Sequence, residues 1–130
     1  MRNLVRLALA SSLVVPAATA SASGGGSGVH LVTMDEMSVP IVDGTRTDGI
    51  LRYQIVIEAK DEAAAHELTA KVPLLRAASL SAGIEFARLY ASPMMPVDAG
   101  RLASDMTAAL KAQDPRVARV LLVKVMAVRA

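Results

Sequence analysis

The sequence predicts an α+β domain: a three-stranded, mainly antiparallel sheet packed on one face by two or three helices, in the order ββααβ. Three observations carry this. Leu51, Tyr53, Ile55, Ile57 and Ala59 alternate with Arg52, Gln54 and Glu58, the period of two that marks a strand with one buried and one wet face. Leu68, Val72 and Leu75 recur at i, i+4 and i+7, and Leu102, Met106 and Leu110 at i, i+4 and i+8, both helical stripes. Residues 116–129 form a nearly continuous apolar run long enough for a closing strand.

The chain divides into three parts. Residues 1–22 read as a secretory signal peptide: Arg2 and Arg6 open it, an apolar stretch runs from Leu7 to Val15, and Ala18-Thr19-Ala20 offers small residues at a cleavage site. The rival reading is a membrane anchor. A spanning helix needs about 20 apolar residues, whereas the stretch from Leu7 to Ala20 is shorter and is interrupted by Ser11, Ser12 and Pro16. Residues 23–28, Ser-Gly-Gly-Gly-Ser-Gly, read as a flexible linker. A phosphate loop would need a preceding strand and a Lys-Ser/Thr ending, which this run lacks. Residues 29–130 form the domain. Loss of Arg2 and Arg6 with the signal balances the remaining acids and bases, so the exported domain is formally neutral. No basic patch or run of stacking aromatics points to nucleic acid.

Within the domain, residues 29–42 alternate as a first strand. Pro40 has no N–H to give to a ladder, so this strand is expected at an edge or broken at the proline. Two Asp-Gly pairs, Asp43-Gly44 and Asp48-Gly49, predict a hairpin loop over 43–49. After the second strand, Asp61 reads as a helix N-cap with Glu62 in the first turn. The helix is expected to run to about Ala82, with a kink or restart at Pro73 and an end at Gly83. Residues 84–90 are compatible with either helix or strand. Ser92-Pro93-Met94-Met95-Pro96 reads as a loop, and a further helix starts near Asp98 and stops at Gln113-Asp114-Pro115. The closing strand is apolar on both faces, which predicts an interior position.

Little in this pattern carries chemistry. The chain has no cysteine, which excludes disulfides, thiolate metal sites and thiol nucleophiles. His30 lies beside the linker and His66 in mid-helix, neither near a nucleophile elbow. Asp35 and Glu36 are neighbours on an extended segment and point apart. Asp61 and Glu62 serve a helix start, and Asp43 and Asp48 serve turns. Arg76, Arg88, Arg116, Arg119 and Arg129 are read as solvated charges or as partners for acids across a subunit contact. The unusual local feature is Met94-Met95, held between two prolines. It fits a loop tucked onto the core, an adaptable partner contact, or a soft-metal ligand pair. No catalytic residues, cofactor or metal site are expected, and Met94 and Met95 are the candidate partner-contact residues.

Four stretches resemble the flagellar basal-body-associated FliL-type proteins of bacteria. They are Met37-Ser-Val-Pro-Ile-Val42, Leu51-Arg-Tyr-Gln-Ile-Val-Ile-Glu58 with the acidic, alanine-rich start that follows it, Lys71-Val-Pro-Leu-Leu-Arg-Ala-Ala78, and the closing pair of Arg101–Leu110 and Arg116–Val123. The resemblance implies a domain similar to the stomatin-type fold and a non-enzymatic role beside the flagellar stator in motility. It also implies self-association into a homo-oligomer. Members of that family usually keep a longer membrane anchor than this chain offers. The expectation is therefore a periplasmic structural protein, exported by a cleavable signal, with an inner-membrane anchor facing the periplasm as the alternative. A free periplasmic binding module unrelated to motility is the alternative function.

Overall fold

One long strand organises the molecule. In the computed structural model, which describes residues 28–130, the elements are β1 (His30–Thr33), β2 (Met37–Asp43), β3 (Arg46–Ala59), α1 (Glu62–Ala70), α2 (Val72–Tyr90), α3 (Ala99–Gln113) and β4 (Val117–Arg129). The signal peptide read over 1–22 and linker residues 23–27 lie outside the described residues. Every strand pairs antiparallel with β3. On one flank β2 lies along the first half of β3 (Met37 opposite Tyr53, Asp43 opposite Arg46), and β1 lies along the second half (His30 opposite Ala59). On the other flank β4 covers β3 from Gly49 to Ala59. Leu51, Tyr53, Ile55, Ile57 and Ala59 face the helices and are buried, so the α+β class and the period-two reading hold.

The sheet has four strands rather than three, because residues 29–42 divide. The break falls at Met34–Glu36 and not at Pro40. Met34 is buried there; its N–H donates to Ile55 O (3.2 Å), and its carbonyl accepts from Gln54 Nε2 (3.1 Å). The Arg76 guanidinium then donates to the carbonyls of Asp35 and Glu36, each at 3.3 Å. These bonds satisfy a backbone that has left the ladder. Pro40 stays inside β2, which is an edge strand as expected. The hairpin is tighter than the Asp-Gly pairs predict. Asp43 still pairs with Arg46, Gly44 takes the left-handed φ of 62°, and Asp48 and Gly49 belong to β3.

Asp61 caps α1 as expected, accepting from Ala64 N–H at 2.7 Å. Pro73 restarts the helix: α1 ends at Ala70, and the proline sits in the first turn of α2, where its missing N–H has no partner to lose. Gly83 does not end the helix. It lies in the buried face of α2, which continues to Tyr90 and settles residues 84–90 as helical. A Cβ on Gly83 would overlap Tyr53 Oη and stand 2.8 Å and 2.9 Å from Tyr53 Cζ and Cε1. Glycine is there because an aromatic ring needs the space. The Tyr53 hydroxyl donates to Ser79 O (3.0 Å), and burial pushes its pKa up to about 12. In α3, Leu102, Met106 and Leu110 are buried, matching the stripe read from sequence.

The expectation of an interior closing strand fails: β4 pairs with β3 alone and is an edge. Its helix-side residues Val117 and Val120 are buried, whereas Val123 and Met126 remain exposed. Apolar side chains on both faces of a strand do not by themselves place a neighbour on each of its edges.

Asp114 ties two parts of the fold together. Its buried carboxylate accepts from Arg116 N–H (2.9 Å) and from Lys71 Nζ (3.3 Å), linking the α3–β4 turn to the α1–α2 junction. The Arg116 N–H, seconded by Lys71, holds this carboxyl below its ordinary value.

Two outcomes follow for stability. Gly83→Ala is expected to destabilise by about 1–3 kcal/mol through overpacking, despite the helix preference for alanine. Tyr53→Phe loses about 1 kcal/mol. In the Tyr53→Phe background Gly83→Ala costs less, because Oη is gone; urea unfolding of the double-mutant cycle measures that coupling, and strict additivity would contradict the contact. For Asp114 the folded pKa is depressed, so its contribution is full above the ordinary value near 3.8 and is lost as pH falls through the lower folded value. The stability gap between the natural chain and Asp114→Asn, read from urea midpoints at successive pH values, should narrow below about pH 4; a gap that widens on acidification would contradict the assignment.

Candidate interaction surface

Helix α2 is apolar on more than one side. Leu75, Ser79, Gly83, Phe86 and Ala87 pack inward. The outward positions Leu74, Ala77, Ser81 and Ile84 follow helical spacing and are exposed, with Leu74 49% and Ile84 52% accessible. No charged residue occurs between Arg76 and Glu85. A surface helix normally turns a polar stripe to water, and a helix apolar all round is one that becomes buried. Beyond Ile84 the same spacing leads to Arg88, where the apolar stripe ends; Leu89 and Tyr90 are exposed on other sides of the helix.

The end of α2 is fixed to the start of α3. Phe86 and Tyr90 stack at 5.7 Å in a tilted arrangement, and the Arg101 guanidinium lies 3.7 Å above the centre of the Tyr90 ring. Arg88 forms an ion pair with Glu85 at 2.7 Å, which holds the Glu85 carboxyl below the usual range, the hydrogen bond from Arg88 being the larger cause.

The Met94-Met95 loop follows directly. Both methionines are about two-thirds exposed, so they are not tucked onto the core. The loop is nevertheless held in place. Met94 N–H donates to Ser92 Oγ (3.2 Å), and Met95 N–H donates to Ser92 O (3.4 Å). Pro93 presses on Gly49, where an added Cβ would be 2.9 Å from Pro93 Cβ. Two flexible thioethers are thus presented on a rigid turn, a combination suited to an adaptable apolar contact.

The other residues singled out in the sequence do not converge. His30 lies in β1 at one sheet edge and His66 is exposed on α1. Glu36 pairs with Lys124, which holds its carboxyl below the ordinary value, and Asp48 pairs with Arg46 at 3.5 Å. Arg116 bridges Glu67 and Asp114, and Arg119 pairs with Glu58. Arg76 and these arginines are therefore intramolecular staples rather than free charges. Among the described residues no group of three or more His, Cys, Asp or Glu side chains could hold a metal, and no helix is long and apolar enough to cross a membrane.

Among the described residues, two clefts stand out. One of about 510 Å³ lies between the hairpin end and the methionine loop, lined by Arg46, Asp48, Ser92, Met94 and Arg129. The other, of about 530 Å³, runs between α3 and the first half of β4, lined by Ala103, Ser104, Thr107, Lys111 and Leu121. Neither lining sets a histidine or a second carboxylate beside a hydroxyl. The chain matches no protein-family model and no curated protein sequence.

Sequence reading singled out Met94 and Met95 but missed the outer face of α2. Its signal was present as the spacing 74, 77, 81, 84, but only Leu74 and Ile84 at the ends of that stripe are large apolar residues.

Because Leu74 and Ile84 lie outside the core, Leu74→Glu and Ile84→Glu should each shift folding stability by no more than about 0.5 kcal/mol. Thermal unfolding checks this, and a loss of several kcal/mol would mean that the stripe belongs to the core.

Proposed function

We propose that this domain is a non-enzymatic structural protein of the bacterial periplasm that works by binding other proteins, and that its setting is the flagellar basal body, where it supports the motor and stator. The observation that carries the binding reading is the outer face of α2, an uncharged stripe from Leu74 to Ile84, with the exposed Met94-Met95 turn as a second apolar surface. Exposed apolar surface of this kind marks protein contact sites. The flagellar setting rests on the resemblance of the four stretches. They fall on β2, on β3 with the start of α1, on the α1–α2 junction, and on α3 with β4. The mechanism is scaffolding: packing fixes α2 and the methionine loop relative to the sheet, so a partner meets a preformed surface and little ordering entropy opposes binding.

The test is a deletion strain complemented with the natural chain or with the Leu74→Glu/Ile84→Glu double variant. Deletion should reduce swimming and stator recruitment, the natural chain should restore both, and the double variant, present at normal levels, should restore neither. Normal swimming after deletion rejects the motility role. Full rescue by the double variant rejects the α2 face as the contact.

A further inference from the structure

The two edges of the sheet are not equivalent. In an antiparallel ladder, residues alternate between pointing their N–H and C=O at the neighbouring strand and pointing them away. Ala130 N–H donates to Asp48 O, so Lys124, Met126 and Val128 bond to β3, and Val125, Ala127 and Arg129 turn their backbone groups outward. On the opposite edge Pro40 faces Ile50, a position whose backbone bonds toward β4, so the missing N–H of Pro40 falls on the outer side. That edge carries a proline block, and it is interrupted at Met34–Glu36. The first half of the β4 edge is also covered: Val120 N–H donates to Thr107 Oγ1 of α3 at 3.0 Å. Beyond the irregularity near Val123, the outer backbone of residues 124–129 has neither a proline nor a covering helix.

We infer that the outer edge of β4 pairs antiparallel with β4 of a second copy of this chain, about a two-fold axis at Met126. The inference rests on the reading of the domain as one that acts by protein contact. Three observations favour a second copy as the occupant. The outward groups must meet outward groups, so Val125 pairs with Ala127 of the second copy, and the reverse; this parity forbids the register that would set Lys124 opposite Arg129. With the axis at Met126, Lys124 faces Val128 and no like charges stand directly opposite. The charges that normally protect an edge are already engaged within the chain, Lys124 with Glu36 and Arg119 with Glu58, so they neither repel a copy nor call for an acidic peptide. Finally, Val123 and Met126 are exposed on this edge strand.

The pairing extends over about five residues, 124–128, roughly 17 Å at strand rise, a strip smaller than the roughly 800 Å² per partner of a standard interface. The dimer is therefore expected to dissociate on dilution.

The chain has no cysteine, so single cysteines report the contact cleanly. Light scattering on the purified chain should show a concentration-dependent dimer. Met126→Cys should cross-link to itself on mild oxidation, because directly opposed residues at a non-hydrogen-bonded site come within disulfide reach. Leu31→Cys, on β1 and more exposed than Met126, should not. Val125→Pro, which removes only an outward N–H, should leave a folded monomer; Ala127→Pro is the second variant of the same kind. A chain that stays monomeric at the highest attainable concentration overturns the inference. So does a dimer that survives both prolines, or cross-linking no better at 126 than at 31. None of these results bears on the α2 face, whose test is swimming, so the two readings fail separately.

Discussion

The fold depends on the approach of α2 to the sheet at Gly83 and Tyr53. A strand side chain as large as tyrosine, fully buried under a helix, leaves no room for a Cβ on the residue above it. The helix accordingly presents Ser79, Gly83 and Ala87 at successive turns, a narrow stripe on which the ring can lie. The hydroxyl then reaches the carbonyl of Ser79, so the one polar atom of the ring is satisfied in the core. Glycine inside a helix is worth about 1 kcal/mol less than alanine, and the packing of Tyr53 offsets that loss.

This contact sets which faces remain open. With Leu75, Ser79, Gly83, Phe86 and Ala87 turned inward, Leu74 and Ile84 are left on the outer side. Arg76 fastens the same helix to the carbonyls of the β1–β2 break, and Tyr90 with Arg101 fastens its end to α3. Gly49 repeats the device at the far end of β3, where the lack of a side chain lets Pro93 settle and hold the methionine turn. Exposed apolar side chains remain on α2, on the methionine turn and along β4, and also at Val29, Leu31 and Val42 on the β1–β2 flank.

Much of this was legible in the sequence where burial and period coincide. The central strand, the Asp61 cap, the restart at Pro73 and the stripe of α3 all follow from local rules. The errors share a cause: each needed knowledge of a distant residue. Gly83 reads as a helix end unless one knows that Tyr53 lies beneath it. Residues 29–42 read as one strand unless Arg76 and Gln54 are present to satisfy the break. The apolar faces of β4 suggested a central strand, yet side-chain pattern reports which faces are covered and is silent on which edges are paired. The outer α2 stripe was faint because Ala77 and Ser81 are small and only Leu74 and Ile84 are large, so Met94 and Met95 stood out instead.

Native-state amide hydrogen exchange tests the dependence on the α2–sheet contact most directly. If Tyr53 and Gly83 hold the helix to the sheet, the amides in the middle of α2 exchange only through global unfolding, with the same free energy as those of Tyr53 and Ile55. Exchange of the α2 amides through a local opening several kcal/mol below that of β3 would contradict the account, because the helix would then leave the sheet while the strand stayed folded.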